Sequence, residues 1–336
     1  MFRSLIAGVF MSISSTVSLA QALTDVRVSL NAPFDGSNAA FFLADERGFY
    51  AAEGLKVNMD PSGGSGEVAT RIGGGAYDFG FADINVIMEF NAKNPANAGR
   101  AIYMIYYRSP LAIASFAKAK ITKPADLNGR KIGGALTDGA FKLFPAYSNL
   151  VGIKADSVKW EYGDLRLREA MLLKGDVEAI VGFDSTMYFG LVRQGIKPED
   201  INFLYYSDAG LDIYGNAIIA SKKMLEGNPK TVRGFVAASA RGWRETIANP
   251  AAAIAALKKR APLADEKVEL EKLRWLIKNQ IVTAESKADG LGAVRSDRMD
   301  RALAVLTKAF GLNAQPARGD VFSDAYLPAA DLRKLP

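Results

Sequence analysis

The sequence predicts a two-lobed α/β protein, and three observations carry that prediction. Residues 63–83 (GGSGEVATRIGGGAYDFGFAD) join a glycine-rich turn, a short helix and an apolar run ending in Asp83. Bare backbone N–H groups at Gly63, Gly64, Ser65 and Gly66 open that helix, a chemistry suited to an anionic or carbonyl ligand. Residues 79–82 (FGFA) read as a strand buried on both faces, with Asp83 just past its C-terminal end, the edge at which open α/β sheets bind ligands. The second observation is a repeat: residues 175–184 again run glycine stop, acidic residue, buried strand and then Asp184, placed like Asp83 to cap the next helix. Either Asp alone reads as a cap; the repetition argues for two similar units. Third, 336 residues with 49% hydrophobic content suffice for two separate cores.

The chain opens with one charge, Arg3, an apolar run through Leu5, Ile6, Val9, Phe10, Met11 and Ile13, and the ending Ala20, Gln21, Ala22. This is the pattern of a secretory signal peptide over residues 1–22, cleaved before Leu23. Losing Arg3 takes the formal charge from +6 to +5. With no dense Lys/Arg block, so small an excess gives no footprint for nucleic acid. There are no cysteines and no histidines. Disulfides, thiolate metal sites, cysteine nucleophiles, Ser-His-Asp triads and the commonest zinc and iron ligands are thereby excluded, and so is a lipid-modified N-terminal cysteine. A periplasm is the natural compartment for such an exported, untethered chain, and no later apolar run is long enough to span a bilayer.

Residues 25–31 (DVRVSLN) alternate Val26, Val28 and Leu30 as a first strand, and Asn38 caps a helix from Ala39 to Arg47 that stops at Gly48. Phe34, on the loop between them, reads equally as a stacking face for a flat ligand and as a lid on the local core. Leu55, Val57 and Met59 form a second strand. Residues 84–91 form a helix, 101–107 (AIYMIYY) a strand and 111–116 (LAIASF) another. Between the last two lie Tyr107 and Arg108, where a guanidinium can pair with a ligand anion or stand as an ordinary exposed turn residue.

Residues 131–135 form the next strand, and Thr137, Asp138 and Gly139 open a helix to about Val151, mirroring the first glycine loop. Asp138 as a plain N-cap is the competing reading. Residues 158–162 and 201–206 are strands, 165–174 and 186–194 helices, and 217–220 a strand that returns the chain to the first lobe. Four helices follow, beginning at Pro229 and Pro250 and marked further on by Leu270, Leu273, Ile277, Ile281 and by Met299, Leu303, Leu306, Phe310. Their apolar stripes read as packing against the first lobe.

The run at residues 42–55 (FLADERGFYAAEGL) resembles the opening of NMT1/THI5-like, SsuA/TauA-type solute-binding proteins of ABC importers. So do residues 63–83, 123–133 (KPADLNGRKIG), 214–221 (YGNAIIAS) and the ending Phe322, Ser323, Leu327, Pro328, in order along the whole mature chain. The resemblance implies a type II periplasmic-binding fold: two α/β lobes joined by two crossing segments, near residues 115–118 and 216–221. Lobe 1 would comprise residues 23–116 plus 219–336, and lobe 2 residues 117–218. It also implies a ligand site at Asn31, Phe34, Asn38, Gly64, Ser65, Asp83, Tyr107, Arg108, Thr137, Asp138, Gly139, Phe183, Asp184 and Tyr214. The implied function is capture of a small polar ligand, a thiamine-pyrimidine-like heterocycle or a sulfonate, for delivery to an ABC importer permease. Two carboxylates in the cleft would favour the heterocycle. A monomer is expected, with no cofactor, no metal, no nucleic acid and no stable membrane insertion after cleavage. Eukaryotic members of the family are pyridoxal-phosphate-dependent thiamine pyrimidine synthases that consume their own histidine and carry a cysteine-rich motif. A chain with neither residue type does not fit that activity.

Overall fold

The computed structural model describes residues 22–165 and 167–336; the signal peptide expected over residues 1–22 lies outside them except for its last residue. The chain begins with β1 (Thr24–Leu30), α1 (Ala39–Glu46), α2 (Phe49–Ala52), β2 (Leu55–Pro61), α3 (Ser65–Gly73), β3 (Phe79–Asp83), α4 (Ile84–Lys93) and β4 (Arg100–Met104). It continues through β5 (Leu111–Phe116), β6 (Lys131–Gly134), α5 (Gly139–Val151), β7 (Lys159–Tyr162), α6 (Arg168–Lys174), β8 (Ala179–Phe183), α7 (Asp184–Arg193) and β9 (Ile201–Tyr205). β10 (Asn216–Ala220) is followed by α8 (Lys222–Gly227), α9 (Pro229–Ala248), α10 (Pro250–Arg260), α11 (Glu266–Leu276) with a π-helical turn over Ile277–Ile281, α12 (Ala284–Asp289) and α13 (Ser296–Ala309). No helix among the described residues is long and apolar enough to cross a membrane.

Two five-stranded sheets result, ordered β2-β1-β3-β10-β4 and β7-β6-β8-β5-β9. In the first, β1 lies parallel to β2 and β3, while β10 runs antiparallel to β3 and β4. The second repeats the scheme: β6 is parallel to β7 and β8, and β5 is antiparallel to β8 and β9. Each sheet thus takes its one reversed strand from the chain as it arrives from the other lobe, so each sheet is completed by the end of one crossing.

This sheet membership moves the crossings. The run 111–116 already pairs with β8 and β9, so the chain changes lobe over residues 105–110 and returns over 206–215, and β10 starts in the first sheet at Asn216. The expected boundaries near 115–118 and 216–221 fall late in both cases. AIYMIYY and LAIASF are both apolar and β-prone, and nothing in their composition says that the turn between them leads to a different sheet. The crossings bond to each other: the Ile105 and Tyr106 amides donate to the Asn216 carbonyl at 3.1 and 2.9 Å, and the Gly215 amide donates to the Tyr106 carbonyl at 2.8 Å.

The repeat seen in the sequence is structural. The Asp78 amide donates to the Arg27 carbonyl at 3.0 Å, and its carboxylate accepts from the Arg27 amide at 2.9 Å. In the second lobe the Glu178 amide donates to the Lys131 carbonyl at 2.9 Å, and its carboxylate accepts from the Lys131 amide at 3.2 Å. Each acidic residue clamps the central strand β3 or β8 to the neighbouring β1 or β6, just after Gly75 or Gly175 has turned the chain through a left-handed φ of 71° or 81°.

The core is built on alternation. In β8 the side chains of Ala179 and Val181 join the main core, while Ile180 turns to a second cluster with Ala112, Ala114, Leu172, Met187 and Leu191 under α6 and α7. In the first lobe Trp243 of α9 is wholly buried against Phe41 and Phe81. The stripes on α9 and α10 do pack against the first lobe, through α1. α11 and α13 depart from that expectation, because α11 packs both on α10 and on α7 of the second lobe, and α13 packs on α5 of the second lobe.

Candidate functional site

A cavity of about 320 Å³ lies where the C-terminal edges of the two sheets face each other. The first lobe contributes the loop after β1 (Asn31, Phe34, Asp35) and the start of α3 (Gly64, Ser65). The second contributes the start of α5 (Asp138, Gly139), Arg168 and Glu169 of α6, and Phe183 with Ser185, Thr186, Phe189 and Arg193 along one face of α7. Tyr106 and Asn216 line it from the two crossings. α11 adds Val268, Glu269, Lys272 and Leu276. Aromatic and aliphatic walls carrying a few fixed polar groups are the general make-up of a small-molecule site.

The charged groups in this lining are largely spent on one another. Lys272, 5% exposed, pairs with Asp35, and Glu269 accepts from the Gly36 amide at 2.8 Å. Burial works against the Lys272 ammonium, but Asp35 and Glu269 outweigh it and hold its pKa above the ordinary value. Burial raises the Glu269 carboxyl, Asp35 adds to this, and Lys272 opposes it. Across the cavity Arg168, 2% exposed, donates to Asp138 and to the Val181 carbonyl, each at 3.1 Å, and to Glu169 at 2.8 Å. Burial again disfavours the cation, and Glu169 and Asp138 more than compensate. In all, four carboxylates face three cations around the cavity. Buried charges matched in this way are dear to break.

The two helix starts marked in the sequence as ligand acceptors engage each other. The Gly66 amide donates to the Thr137 carbonyl at 2.9 Å, and the Thr137 hydroxyl donates to the Gly63 carbonyl. Gly64 sits at φ 123°, and a Cβ there would come within 2.8 Å of the Thr137 carbonyl oxygen. Glycine at this place is therefore a requirement of the contact between lobes. Ser65 binds inward, its hydroxyl accepting from the Asp83 amide at 3.0 Å and from Asn31 at 3.4 Å.

Of the residues picked from the sequence, Asn31, Phe34, Gly64, Ser65, Asp138, Gly139 and Phe183 line the cavity. The others do not. Asn38 folds its own loop, donating to the Pro33 carbonyl and accepting from the Asp35 amide. Thr137 is the lobe contact just described. Tyr107 donates its hydroxyl to the Gly290 and Ala293 carbonyls, and Tyr214 bonds to Glu285 and to the Arg295 amide. Arg108 is half-exposed beside Asp208 at 3.7 Å.

The two expected ligand carboxylates also lie off the cavity. Asp83 is fully buried, caps α4 by accepting from the Asn85 amide at 2.9 Å, and leaves its Oδ2 without a partner; burial pushes its pKa up to about 6. Asp184 accepts from Gln280 at 2.9 and 3.0 Å and from the Trp275 indole at 3.3 Å, and burial raises its pKa to about 6. The two are not equivalent positions. Asp83 pairs with Asn216 on β10 as Phe183 pairs with Leu111 on β5; one residue on, the Ile84 and Asp184 amides donate to the Gly215 and Pro110 carbonyls. The counterpart of Asp83 is Phe183, one residue before the position that the repeat in the sequence suggests.

Sequence reasoning missed Tyr106, Arg168, Asn216, Glu269 and Lys272. Tyr106 adjoins Tyr107 in the apolar run 101–107, and Asn216 opens the apolar strand 216–220, so neither stands out by composition. Glu269 and Lys272, three apart on a helix otherwise read by its leucines, were the available signal for a polar face turned inward.

The NMT1/THI5 like family profile matches residues 36–253. The riboflavin-binding protein RibY of Chloroflexus aurantiacus is 26% identical over 214 residues, 63% of this chain and 59% of that protein. The 4-amino-5-hydroxymethyl-2-methylpyrimidine phosphate synthase of Aspergillus parasiticus is 24% identical over 226 residues, 64% of this chain and 65% of that one. The chain thus spans less than two thirds of either relative. Among solved structures, the alkanesulfonate-binding protein SsuA of Xanthomonas axonopodis pv. citri bound to MOPS superposes with a TM-score of 0.67 at 16% identity, covering 88% of this chain and 95% of that one. The periplasmic aliphatic sulphonate-binding protein SsuA of Escherichia coli gives 0.65 at 16% identity, covering 93% and 92%. At these identities the shared property is the fold.

Proposed function

We propose, for a chain that belongs to the NMT1/THI5-like family, the role of an exported solute-binding protein that captures a small, flat, polar molecule between its lobes and hands it to an ABC importer permease. The single observation behind this reading is the cavity at the facing sheet edges, walled by both lobes, both crossings and α11. A site assembled from parts that separate when the lobes part is built to trap and release. The signal peptide expected over residues 1–22 and the lack of cysteine in the sequence support a periplasmic location.

The ligand is a neutral or weakly basic heterocycle in this reading, of the thiamine-pyrimidine kind, in preference to a sulfonate. The cavity lining has no surplus of positive charge, and of the helix-start amides suited to an anion, that of Gly66 is taken by the Thr137 carbonyl and that of Ala140 by the Asp138 carboxylate. Phe34, Phe183 and Phe189 supply faces for a ring. A binding role is favoured over catalysis with pyridoxal phosphate, because a Schiff-base lysine must shed its proton and Lys272 is held charged by Asp35 and Glu269. Titration calorimetry of the mature protein against 4-amino-5-hydroxymethyl-2-methylpyrimidine and against alkanesulfonates tests the assignment. Binding of sulfonates alone overturns the heterocycle, and a yellow, lysine-linked cofactor on the purified protein overturns the non-catalytic role.

A further inference from the structure

α11 is fixed to both lobes, and its two attachments differ in kind. On the first lobe it is pinned by charge at depth: Lys272 and Glu269, 5% and 7% exposed, hold Asp35 and the Gly36 amide. Gly36 lies so close to the helix that a Cβ there would come within 2.6 Å of the Glu269 carbonyl oxygen. On the second lobe α11 grips α7 through a half-buried aromatic contact. Trp275 stacks on Tyr188 with ring centroids 5.1 Å apart and planes 20° from parallel, meets Phe189 edge-on at 6.1 Å, and donates its indole N–H to Asp184 at 3.3 Å. The π-helical turn that follows is tied in at the seam where the two crossings are bonded together. There the Gln280 carbonyl accepts from the Tyr107 and Arg108 amides at 2.8 and 3.1 Å, and its side-chain amide donates to Asp184.

Parting the lobes by a hinge at the crossings must break one of the two attachments. A buried ion pair is costly to separate, and an aromatic pair at a half-buried site is worth far less. The grip on α7 therefore yields first, and α11 travels with the first lobe. Gln280 lies at the hinge, where displacement is smallest, so Trp275 is the part of the grip that has to let go. Phe189 belongs to both structures, as a wall of the cavity and as the edge against which Trp275 rests. We propose that α11 is a strap across the cavity, fastened to the first lobe by Lys272 and Glu269 and released at Trp275, whose grip on α7 sets how fast the site opens. Trp275 is a positioning residue, because it stands outside the cavity lining and acts through Phe189. The inference deepens the capture reading above by naming what governs release from that site.

Two arms test it, the first without ligand. The chain is free of cysteine, so Lys56→Cys on β2 and Lys159→Cys on β7, exposed positions on the edge strands remote from the crossings, accept a pair of spin labels. Double electron–electron resonance on the labelled mature protein should give one distance, matching the separation in this structure. Trp275→Ala and Tyr188→Ala should each broaden it toward longer distances, and the double variant no further than either. Arg274→Ala, on the exposed side of α11, should leave it unchanged. In the second arm, stopped-flow release of 4-amino-5-hydroxymethyl-2-methylpyrimidine or of an alkanesulfonate, whichever binds, should quicken about threefold to tenfold in both single variants at the grip. A wild-type distribution already long and broad, distances unmoved by both substitutions, an equal response to Arg274→Ala, or an unchanged release rate would each overturn the strap. So would loss of cooperative melting in both variants, which would make the contact core instead of clasp. Lengthened distances with no binding of any probe sink the capture reading and leave the strap standing; binding with unmoved distances does the reverse.

Discussion

The two lobes use one topology twice and finish it differently. Both place a parallel trio beside a reversed strand borrowed across the crossing, and both clamp the central strand with an acidic residue after a left-handed glycine. At the ends of those central strands the likeness stops. β3 ends in Asp83, buried and half-satisfied at the seam; β8 ends in Phe183, an apolar wall of the cavity. The next residue is Ile84 in one lobe and Asp184 in the other, which reaches out to Trp275 and Gln280. Repetition in such a chain reports the scaffold, and the places where it lapses report the site.

The largest effect expected from breaking the comparison is on the two buried ionic sets, one fixed to each lobe. Arg168→Met strands Asp138 and Glu169 within the second lobe, and Lys272→Met strands Asp35 and Glu269 between α11 and the first. Each should lower unfolding free energy by about 3–5 kcal/mol in urea denaturation, the cost of leaving a buried charge unpaired. A loss under about 1 kcal/mol for either would mean that water already reaches that set.

Asp83 tests the lapse itself, with the sign set by burial. The folded chain holds the Asp83 proton up to about pH 6, against an ordinary 3.8, so the folded state binds more protons between those values. Its contribution to stability is complete below about pH 3.8 and is lost as pH rises through about 6. Asp83→Asn should therefore raise stability by about 1–3 kcal/mol at pH 7.5 and change little at pH 3.5. An equal effect at both pH values would show that the carboxylate is hydrated.

The contact between lobes comes next. Gly64→Ala forces a Cβ against the Thr137 carbonyl at a left-handed φ. Affinity for the ligand should fall roughly tenfold, about 1.4 kcal/mol, while scattering shows a more open molecule. An unchanged affinity would separate ligand capture from this contact.

The smallest effect sharpens the likeness. Asp78→Asn and Glu178→Gln weaken the matching strand clamps, both at the protein surface. Each should cost about 0.5–1 kcal/mol, with Glu178→Gln the larger because it also weakens the Arg130–Glu178 ion pair; measured in an Arg130→Met background, the two costs should agree if the clamps are true counterparts.

Much of the scaffold was legible because its signals are local. Glycine stops, alternating valines and strand-end polar residues announce β1, β3 and β8 without reference to anything distant, and Asn31, Gly64, Ser65, Asp138 and Gly139 were found because cavity residues of this fold sit at such ends. The failures were of register and of long-range packing. Choosing Tyr107 over Tyr106 is an error of one residue, and along an extended chain one residue moves a side chain to the opposite face. Equating Asp184 with Asp83 comes from matching letters where strand pairing is needed, for it is Phe183 that stands in the place of Asp83. α11 was hidden because Leu270 and Leu273 explain one face of it, and only its seat between α10 and α7 gives Glu269 and Lys272 a purpose.

The bonded pair of crossings sets the mechanics of the whole molecule. Two independent cords would let the halves twist, slide and tilt; crossings bonded to each other at Tyr106, Gly215 and Asn216, and to the Gln280 carbonyl through the Tyr107 and Arg108 amides, form a band that favours bending about one line across its width. The expected motion has a single degree of freedom, measurable as one rotation axis by residual dipolar couplings. In the capture role proposed above, a permease receiving this protein would need to gauge only one angle to know whether the cargo is aboard.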